Sequence, residues 1–301
     1  MQKIKQLFLF LIRLEARIAS MQSALGRIEA RQNILLDHME IANAEFKVFS
    51  QWGEDGVIQY LISKVAIKSP VFVEFGVENY TESNTRFLLT NNNWSGLVID
   101  GSEKNINYIK ADHIYWRHNL KADCAFITKD NINQIIERNG IQGEIGLLSV
   151  DIDGNDYWVW SAINVVNPCI VVCEYNSLWG ATKAVTTPYD PSFTRGAKHY
   201  SNLYYGASIQ ALTILANEKG YSLVGSNKAG NNVFFVRNDL LGDIKTLKAN
   251  ETWVKSEFRE SRDKHGNLTF LDFDQRLDLL AELPLFDIDL QQTTSVKQLF
   301  N

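Results

Sequence analysis

The stretch LLSVDIDGNDYWVW, residues 147–160, passes from a short apolar run through a loop of carboxylates and one glycine into a helical pattern. Gly146–Asp151 (GLLSVD) reads as a buried strand, since a brief apolar run bounded by turn residues suits a strand covered on both faces. Asn155–Ile163 reads as the helix that follows. A strand ending in acids and feeding a helix is half of a βαβ unit. Working outward, Val71–Glu74 (VFVE) is an apolar run closed by Gly76, with helical sequence from Asn84. Gly96–Asp100 (GLVID) is a second strand, followed by a helix around Glu103–Lys110, and Cys169–Glu174 (CIVVCE) is a further strand. Residues 113–118 and 124–128 are ambiguous strand candidates, and Lys129–Asn139 reads as a helix. The alternation predicts crossover connections and a parallel sheet. After a helix at Ser208–Lys219, strands at Tyr221–Val224 and Val233–Val236 flank the turn Asn227–Asn231, which predicts one antiparallel edge strand.

In open α/β sheets, ligands bind beyond the carboxyl ends of the strands. Here the first strand ends Glu74-Phe75-Gly76, the second Asp100-Gly101, the fourth Asp151-Ile152-Asp153-Gly154-Asn155-Asp156, and the fifth Glu174-Tyr175-Asn176. Carboxylates so gathered repel one another without a partner, so the edge would take cations, ribose hydroxyls or both. Gly76 either lets backbone approach a ligand or makes a plain turn. The loop Gly76–Asn84 lacks the second glycine of the dinucleotide fingerprint, which disfavours a nicotinamide-dependent dehydrogenase. Asp100 is either a ribose acceptor or an acid complementing the next helix N-terminus.

The first 45 residues read differently. Between residues 3 and 41 only Gly26 interrupts helical composition, and a seven-residue period runs through it. Ile4, Leu11, Ile18, Leu25, Gln32 and Met39 form one seam series, and Leu7, Leu14, Met21, Ile28 and Leu35 the other. Such a repeat keeps one stripe facing a partner helix and predicts a coiled coil that oligomerises or tethers the protein. A long helix packed along its own domain is the alternative. Lys3, Lys5, Arg13 and Arg17, beside Phe8–Phe10, would also let this end rest on an anionic membrane surface. The run Leu7–Ile12 is too short for a span and lacks a cleavage site, so the expected location is cytoplasmic.

The chain has 301 residues, 45% hydrophobic, with net charge −5, which disfavours nucleic acid as the main partner. Cys124, Cys169 and Cys173 lack disulfide or zinc spacing and are expected in the core. Tyr157, Trp158, Trp160 and Trp179 are likewise read as packing rather than a sugar platform. The domains expected are residues 1–45, 46–240 and a C-terminal appendage 241–301 without legible chemistry.

FSQWGEDGVI (49–58), VFVEFGVENYTESNT (71–85), GLVIDG (96–101), LLSVDIDGNDYWVW (147–160), VVCEYNS (171–177), YYGASIQAL (204–212) and GNNVFFV (230–236) resemble a bacterial group of FkbM-like methyltransferases. The resemblance covers about residues 46–240 and is most specific at 147–160. It implies a Rossmann-like class I methyltransferase fold, a mixed, mostly parallel, seven-stranded sheet flanked by helices, with S-adenosyl-L-methionine as donor. It implies methylation of hydroxyls on sugars, glycans or natural products. By position, Glu74 and Gly76 would border the methionine and ribose of the cofactor, with Asp100-Gly101 at the ribose and Asp151 nearby. Gln51, Glu54 and Asp55 would close over the cofactor, although Ser50 or Asp55 could instead cap the next helix. The family's glycine-rich first loop is reduced here to Glu74-Phe75-Gly76-Val77-Glu78.

Asp151, Asp153, Glu174 and Asn176 are similar to the set that holds a divalent cation in some class I O-methyltransferases, and would suit Mg2+ or Mn2+. They could equally cap turns and bind substrate directly. Asp156 is read as a cap. For a general base, His199 in the long loop Leu178–Leu203 competes with Asp151. That loop carries Thr186, Thr187, Tyr189, Arg195 and Tyr200 for a polar acceptor. An N-methyltransferase and an inactive scaffold in a polysaccharide assembly complex are the rival readings. The retained acids argue against the scaffold, because an unused acidic edge costs stability.

Overall fold

In a computed structural model of the chain, residues 2–36 and 40–300 are described, except for the side chains of residues 2–9, 11–13, 15 and 16. The chain opens with helix α1 (Gln2–Ile34) and a 3-10 turn at Ile41–Ala44. There follow α2 (Glu54–Lys64), β1 (Val71–Phe75), α3 (Arg86–Asn91), β2 (Ser95–Asp100), α4 (Glu103–Ala111), α5 (His113–Arg117) and β3 (Leu120–Cys124). The centre holds α6 (Ile132–Arg138), β4 (Gly143–Val150), α7 (Asp156–Ala162), β5 (Val166–Glu174), β6 (Val185–Thr186) and α8 (Arg195–Lys198). Then come α9 (Ile209–Glu218), β7 (Tyr221–Ser226), β8 (Asn232–Arg237), α10 (Ala249–Thr252), α11 (Phe273–Leu279), β9 (Pro284–Asp287), β10 (Gln292–Ser295) and α12 (Val296–Phe300).

Seven strands form one sheet in the order β3-β2-β1-β4-β5-β8-β7. The first five in that order pair in parallel. β8 runs antiparallel to both β5 and β7. This is the Rossmann-like architecture of class I methyltransferases, with one correction to the expected strand placement. The antiparallel strand is not at the edge: β8 folds back from β7 and inserts beside β5, leaving β7 outermost.

Alternation on the strands feeds two apolar layers. Val73, Ile99 and Leu148 face one, with Trp160 and Leu212, while Phe72, Val98 and Leu147 face the other, with Leu61 and Leu88. Trp160 and Trp179 are fully buried, as expected for packing residues. Cys169 and Cys173 are buried too, but Cys124, at the open end of β3, is exposed.

Residues 113–117 are helix and His118 a turn, rather than strand, because the Asp112 carboxylate accepts the Ile114 N–H and starts the helix. The strand expected at 124–128 lies earlier, at Leu120–Cys124, where Leu120 and Ala122 are the buried alternate positions.

The C-terminal segment is joined to the domain. β9 pairs with β10 and also with β6, so the tail completes a small sheet begun in the loop after β5. Leu280, Leu285 and Val296 share a core with Trp179, Leu203 and Tyr204. Four-residue strands carry too little periodicity to be read in sequence.

Helix α1 stops at Ile34, short of the expected 41; Met39 lies outside the described residues, as do the side chains of Ile4, Leu7 and Leu11. Gly26 is the reason the helix can dock. A Cβ there would lie 2.4 Å from Val48 Cγ2 and 3.2 Å from the Phe87 ring, so close approach offsets the usual helical cost of glycine. Ala30 packs in the same cluster, and Asn33 Nδ2 donates to the Ala44 carbonyl at 2.8 Å. Among the described residues no helix is long and apolar enough to cross a membrane.

Candidate functional site

The order of strands reverses between β1 and β4, so crossovers leave in opposite directions there and open a crevice. Gly76 sits at its mouth with φ +66, donating its N–H to the Ile99 carbonyl at 3.0 Å. A Cβ on Gly76 would lie 1.8 Å from the Asp151 carbonyl oxygen. The glycine is therefore required by close packing of the two strand ends, not merely by a turn.

Glu74 ends β1 but serves the loop beyond it. Its Oε1 accepts the Asn84 N–H, and its Oε2 accepts the N–H and hydroxyl of Thr85. These bonds pin the loop to the start of α3. Burial pushes the carboxyl up to about 7, against three hydrogen bonds that favour the ionised form. Asp100 accepts the Ser102 N–H at 2.8 Å and the Asn105 amide at 3.0 Å through Oδ1 alone. Among the described residues no protein hydrogen bond reaches its Oδ2, so one oxygen stays available to a diol. Gly101 is exposed, beside Phe126, with room over its backbone.

The segment ahead of β1 corrects an expectation. Glu54 is fully buried; its Oε1 accepts the amides of Asn227 and Asn232, and its Oε2 the Trp52 N–H. Asp55 Oδ2 accepts three successive backbone N–H groups, from Val48, Phe49 and Ser50, at 2.7–2.8 Å. Burial pushes the Asp55 carboxyl up to about 6. Both acids thus fix turns in the interior rather than face a cofactor. Of the two capping alternatives, Ser50 serves the first turn of α2, its Oγ accepting the Asp55 N–H at 3.0 Å, while Asp55 does not, and the N-cap Gly53 has no side-chain bond. Gln51 does face a cavity.

At the ends of β4 and β5, the carboxylates of Asp151, Asp156 and Glu174 converge, with one oxygen of each within 4.8 Å of the others. Burial, followed by the neighbouring acids, pushes the Asp151 and Glu174 carboxyls well above the carboxylate range. Asp156 rises to about 6, again mainly by burial, and its two oxygens accept the Ile152 and Gly154 N–H groups. Those N–H groups precede α7, whose N-cap is Asn155, so Asp156 is not the helix cap expected; it pins the loop after β4 and joins the cluster. Glu174 Oε2 is buried without a hydrogen-bond partner. A buried carboxylate oxygen without a donor, as Glu174 Oε2 is, requires a proton or a cation, and three carboxylates converging there fit a hard divalent ion.

Two members of the expected metal set are engaged elsewhere. Asp153, at φ 55, turns out to pair with Arg195 at 2.8 Å. Asn176 donates to the Leu203 and Tyr205 carbonyls at 3.0 Å and accepts the Leu178 N–H, which uses both ends of its amide. It holds the loop after β5 in place. His199 bonds Ser201 Oγ through Nδ1 at 2.6 Å, and burial lowers its pKa. It does not line the cavity, which weakens its candidacy as base.

A cavity of about 350 Å3 opens at the end of β5. Gln51, Trp52, Glu174 and Arg195 line one side, and Phe258 and Arg276 from the C-terminal segment line another. The Trp52 and Phe258 rings meet at 4.6 Å. The buried Arg276 guanidinium donates to the carbonyls of Phe258, Ser256 and Asp272, which fixes the tail's own loop, and the Ser256 N–H donates to Ser177 Oγ at 3.2 Å, which ties that loop to the end of β5. Arg195 stacks 3.9 Å over Tyr205 and lies close enough to Glu174 to favour its ionised form. No sequence signal marked residues 256–276 as a wall, because only the fold brings them to β5. A larger cavity, about 900 Å3, lies by β7 and has none of the strand-ending acids in its lining.

No protein-family model matches the sequence, and no curated protein does either. Solved structures do. The N-terminal domain of EvdMO1, determined in the presence of SAH and D-fucose, is 11% identical, over 67% of this chain and 84% of that one, at TM-score 0.39. The DszA carbon methyltransferase is 13% identical over 64% of this chain, at TM-score 0.38, and only 54% of its own length is covered. A putative caffeoyl-CoA O-methyltransferase from Staphylococcus aureus is 11% identical over 72% of this chain and 98% of that one, at TM-score 0.42. The similarity to these methyltransferases is one of fold.

Proposed function

We propose that this protein is an S-adenosylmethionine-dependent methyltransferase, related to the FkbM-like enzymes, that methylates a hydroxyl of a sugar, glycan or glycan-like metabolite. The observation that carries the reading is the buried acidic cluster, with its unpartnered Glu174 oxygen, beside the crevice at Gly76. The open Asp100 oxygen at the neighbouring strand end supports a ribose contact.

Bound S-adenosylmethionine supplies a methyl group on a sulfonium, a good leaving group, so catalysis needs alignment and a proton acceptor. Glu174 lines the cavity beside the crevice and holds a proton readily, as does Asp151 behind it. An acceptor hydroxyl seated there would form its new O–C bond as the C–S bond breaks, with S-adenosylhomocysteine as leaving group, and would give its proton to the member of the pair that is ionised. Arg195 would steady the resulting charge distribution. Asp151, Asp156 and Glu174 would hold Mg2+ or Mn2+ through oxygen alone, and such an ion would lower the pKa of the hydroxyl. Trp52 and Phe258 offer an apolar wall, and Gln51 and Arg276 polar groups, to a polyhydroxylated acceptor. The reading places the enzyme in the cytoplasm.

The test is SAH formation from S-adenosylmethionine with a panel of monosaccharides and oligosaccharides, with and without Mg2+. Acceptor-dependent turnover that falls at least about 100-fold in Glu174→Gln supports the reading. Turnover with amine acceptors alone would favour N-methylation, and none with any acceptor would contradict the proposal.

A further inference from the structure

The N-terminal helix has two faces, and the domain covers only one of them. Along the heptad, Gly26 and Asn33 share one position, Ala30 lies on the adjacent outer position, and these three face the domain. On the opposite side, Leu14, Ile18, Met21, Leu25 and Ile28 are 41–65% exposed, and Leu35, just past the helix, is 80% exposed. All six belong to the two seam series. The helix thus does pack along its own domain, but by its back, and its seam stays uncovered.

We infer that this stripe is the pairing surface for a second copy of the same chain, joined as a parallel two-stranded coiled coil. A seam of period 3.5 fits an identical partner in register, which places Gln32, the polar seam residue, opposite its own copy. The flanking charges also suit an in-register parallel pair. Arg17 and Arg31 flank one side of the seam, Gln22 and Glu29 the other. In a parallel pair, Arg17 faces Gln22, Ala24 faces Glu29 and Arg31 faces Leu36 of the copy, with no like charges opposed. An antiparallel pair centred on Ala24 sets Arg17 against Arg31, which is unfavourable.

The domain also limits the number of helices. Gln22 Nε2 donates to the Val48 carbonyl at 2.9 Å, so the domain reaches one flank of the seam as well as the back of the helix. In two strands the flanks lie at the edge of the seam, where Gln22 can meet both Arg17 of the copy and the domain, whereas higher bundles bury the flanks. In the pair, each domain is clamped to the outside of its own helix.

Sedimentation equilibrium of the full chain, alongside an Ile18→Lys, Leu25→Lys variant, tests this. The inference predicts twice the chain mass for the wild type and a monomer for the variant, with the domain's melting transition unchanged. Gln32→Cys in a Cys124→Ser background should form an intermolecular disulfide on mild oxidation, because only a parallel pair brings residue 32 beside its copy. A monomeric wild type overturns the inference, including one that floats with phosphatidylglycerol vesicles. A trimeric mass, or a mass unaffected by the two lysines, overturns it too.

Discussion

Gly76 and Asp151 meet across the two central strands so closely that a single methyl group on Gly76 would fall 1.8 Å from the Asp151 carbonyl oxygen. The ends of β1 and β4 therefore share one rigid seam. Gly143 has a similar left-handed backbone, at φ +73, with nothing near its Cβ position. Gly143→Ala should cost only the conformational penalty, about 1 kcal/mol. Gly76→Ala should cost about 3 kcal/mol or more, and S-adenosylmethionine binding with it, since backbone cannot yield as a side chain does. Chemical denaturation of both variants checks the difference.

Glu74 makes apo stability depend on pH. Its folded-state pKa is raised, so its stabilising contribution is complete below the ordinary carboxylate value of 4.5 and is lost as pH rises through about 7. Stability should fall across that interval by an amount on the order of 3 kcal/mol from this group. Glu74→Gln should flatten the profile there; an unchanged slope would assign the pH dependence to other acids.

The acidic cluster should respond to a cation. If Mg2+ or Mn2+ binds Asp151, Asp156 and Glu174, metal at 100 times its dissociation constant should stabilise the protein by about 2.7 kcal/mol. Asp151→Asn should abolish the gain. Thermal melts with titrated metal and with a chelator measure this, and no shift would mean that the cluster holds a proton instead.

The tail should set acceptor affinity. Phe258→Ala removes the ring that meets Trp52 at 4.6 Å while leaving the strand ends intact. KM for the acceptor should rise about tenfold, with cofactor affinity changed less than twofold. Equal losses for both ligands would show that the wall serves folding rather than recognition.

What the sequence disclosed follows from periodicity and from chain continuity. The long apolar strands at 71–75, 95–100, 143–150 and 166–174 are buried on both faces and stand out as runs. The acids that end them could be named because each lies within a few residues of its strand. Glu54 and Asp55 were misassigned because their partners, Asn227, Asn232 and the 48–50 turn, are decided by folding. Asn176 was misjudged for the same reason: its amide is consumed by carbonyls 27 and 29 residues away. Asp156 was legible as an acid opening α7 but not as a third carboxylate of the cluster, since that depends on how β4 and β5 end side by side. The cavity wall at residues 256–276 was illegible altogether, because it is brought to β5 by contacts such as Ser256 with Ser177, 79 residues apart.

The most direct test is a calorimetric titration of S-adenosylmethionine into the wild-type protein and into Asp100→Ala. The account predicts one site per chain in the wild type and at least about tenfold weaker binding in the variant, the loss expected from a paired ribose diol. No binding to the wild type, or binding that ignores Asp100, would contradict it.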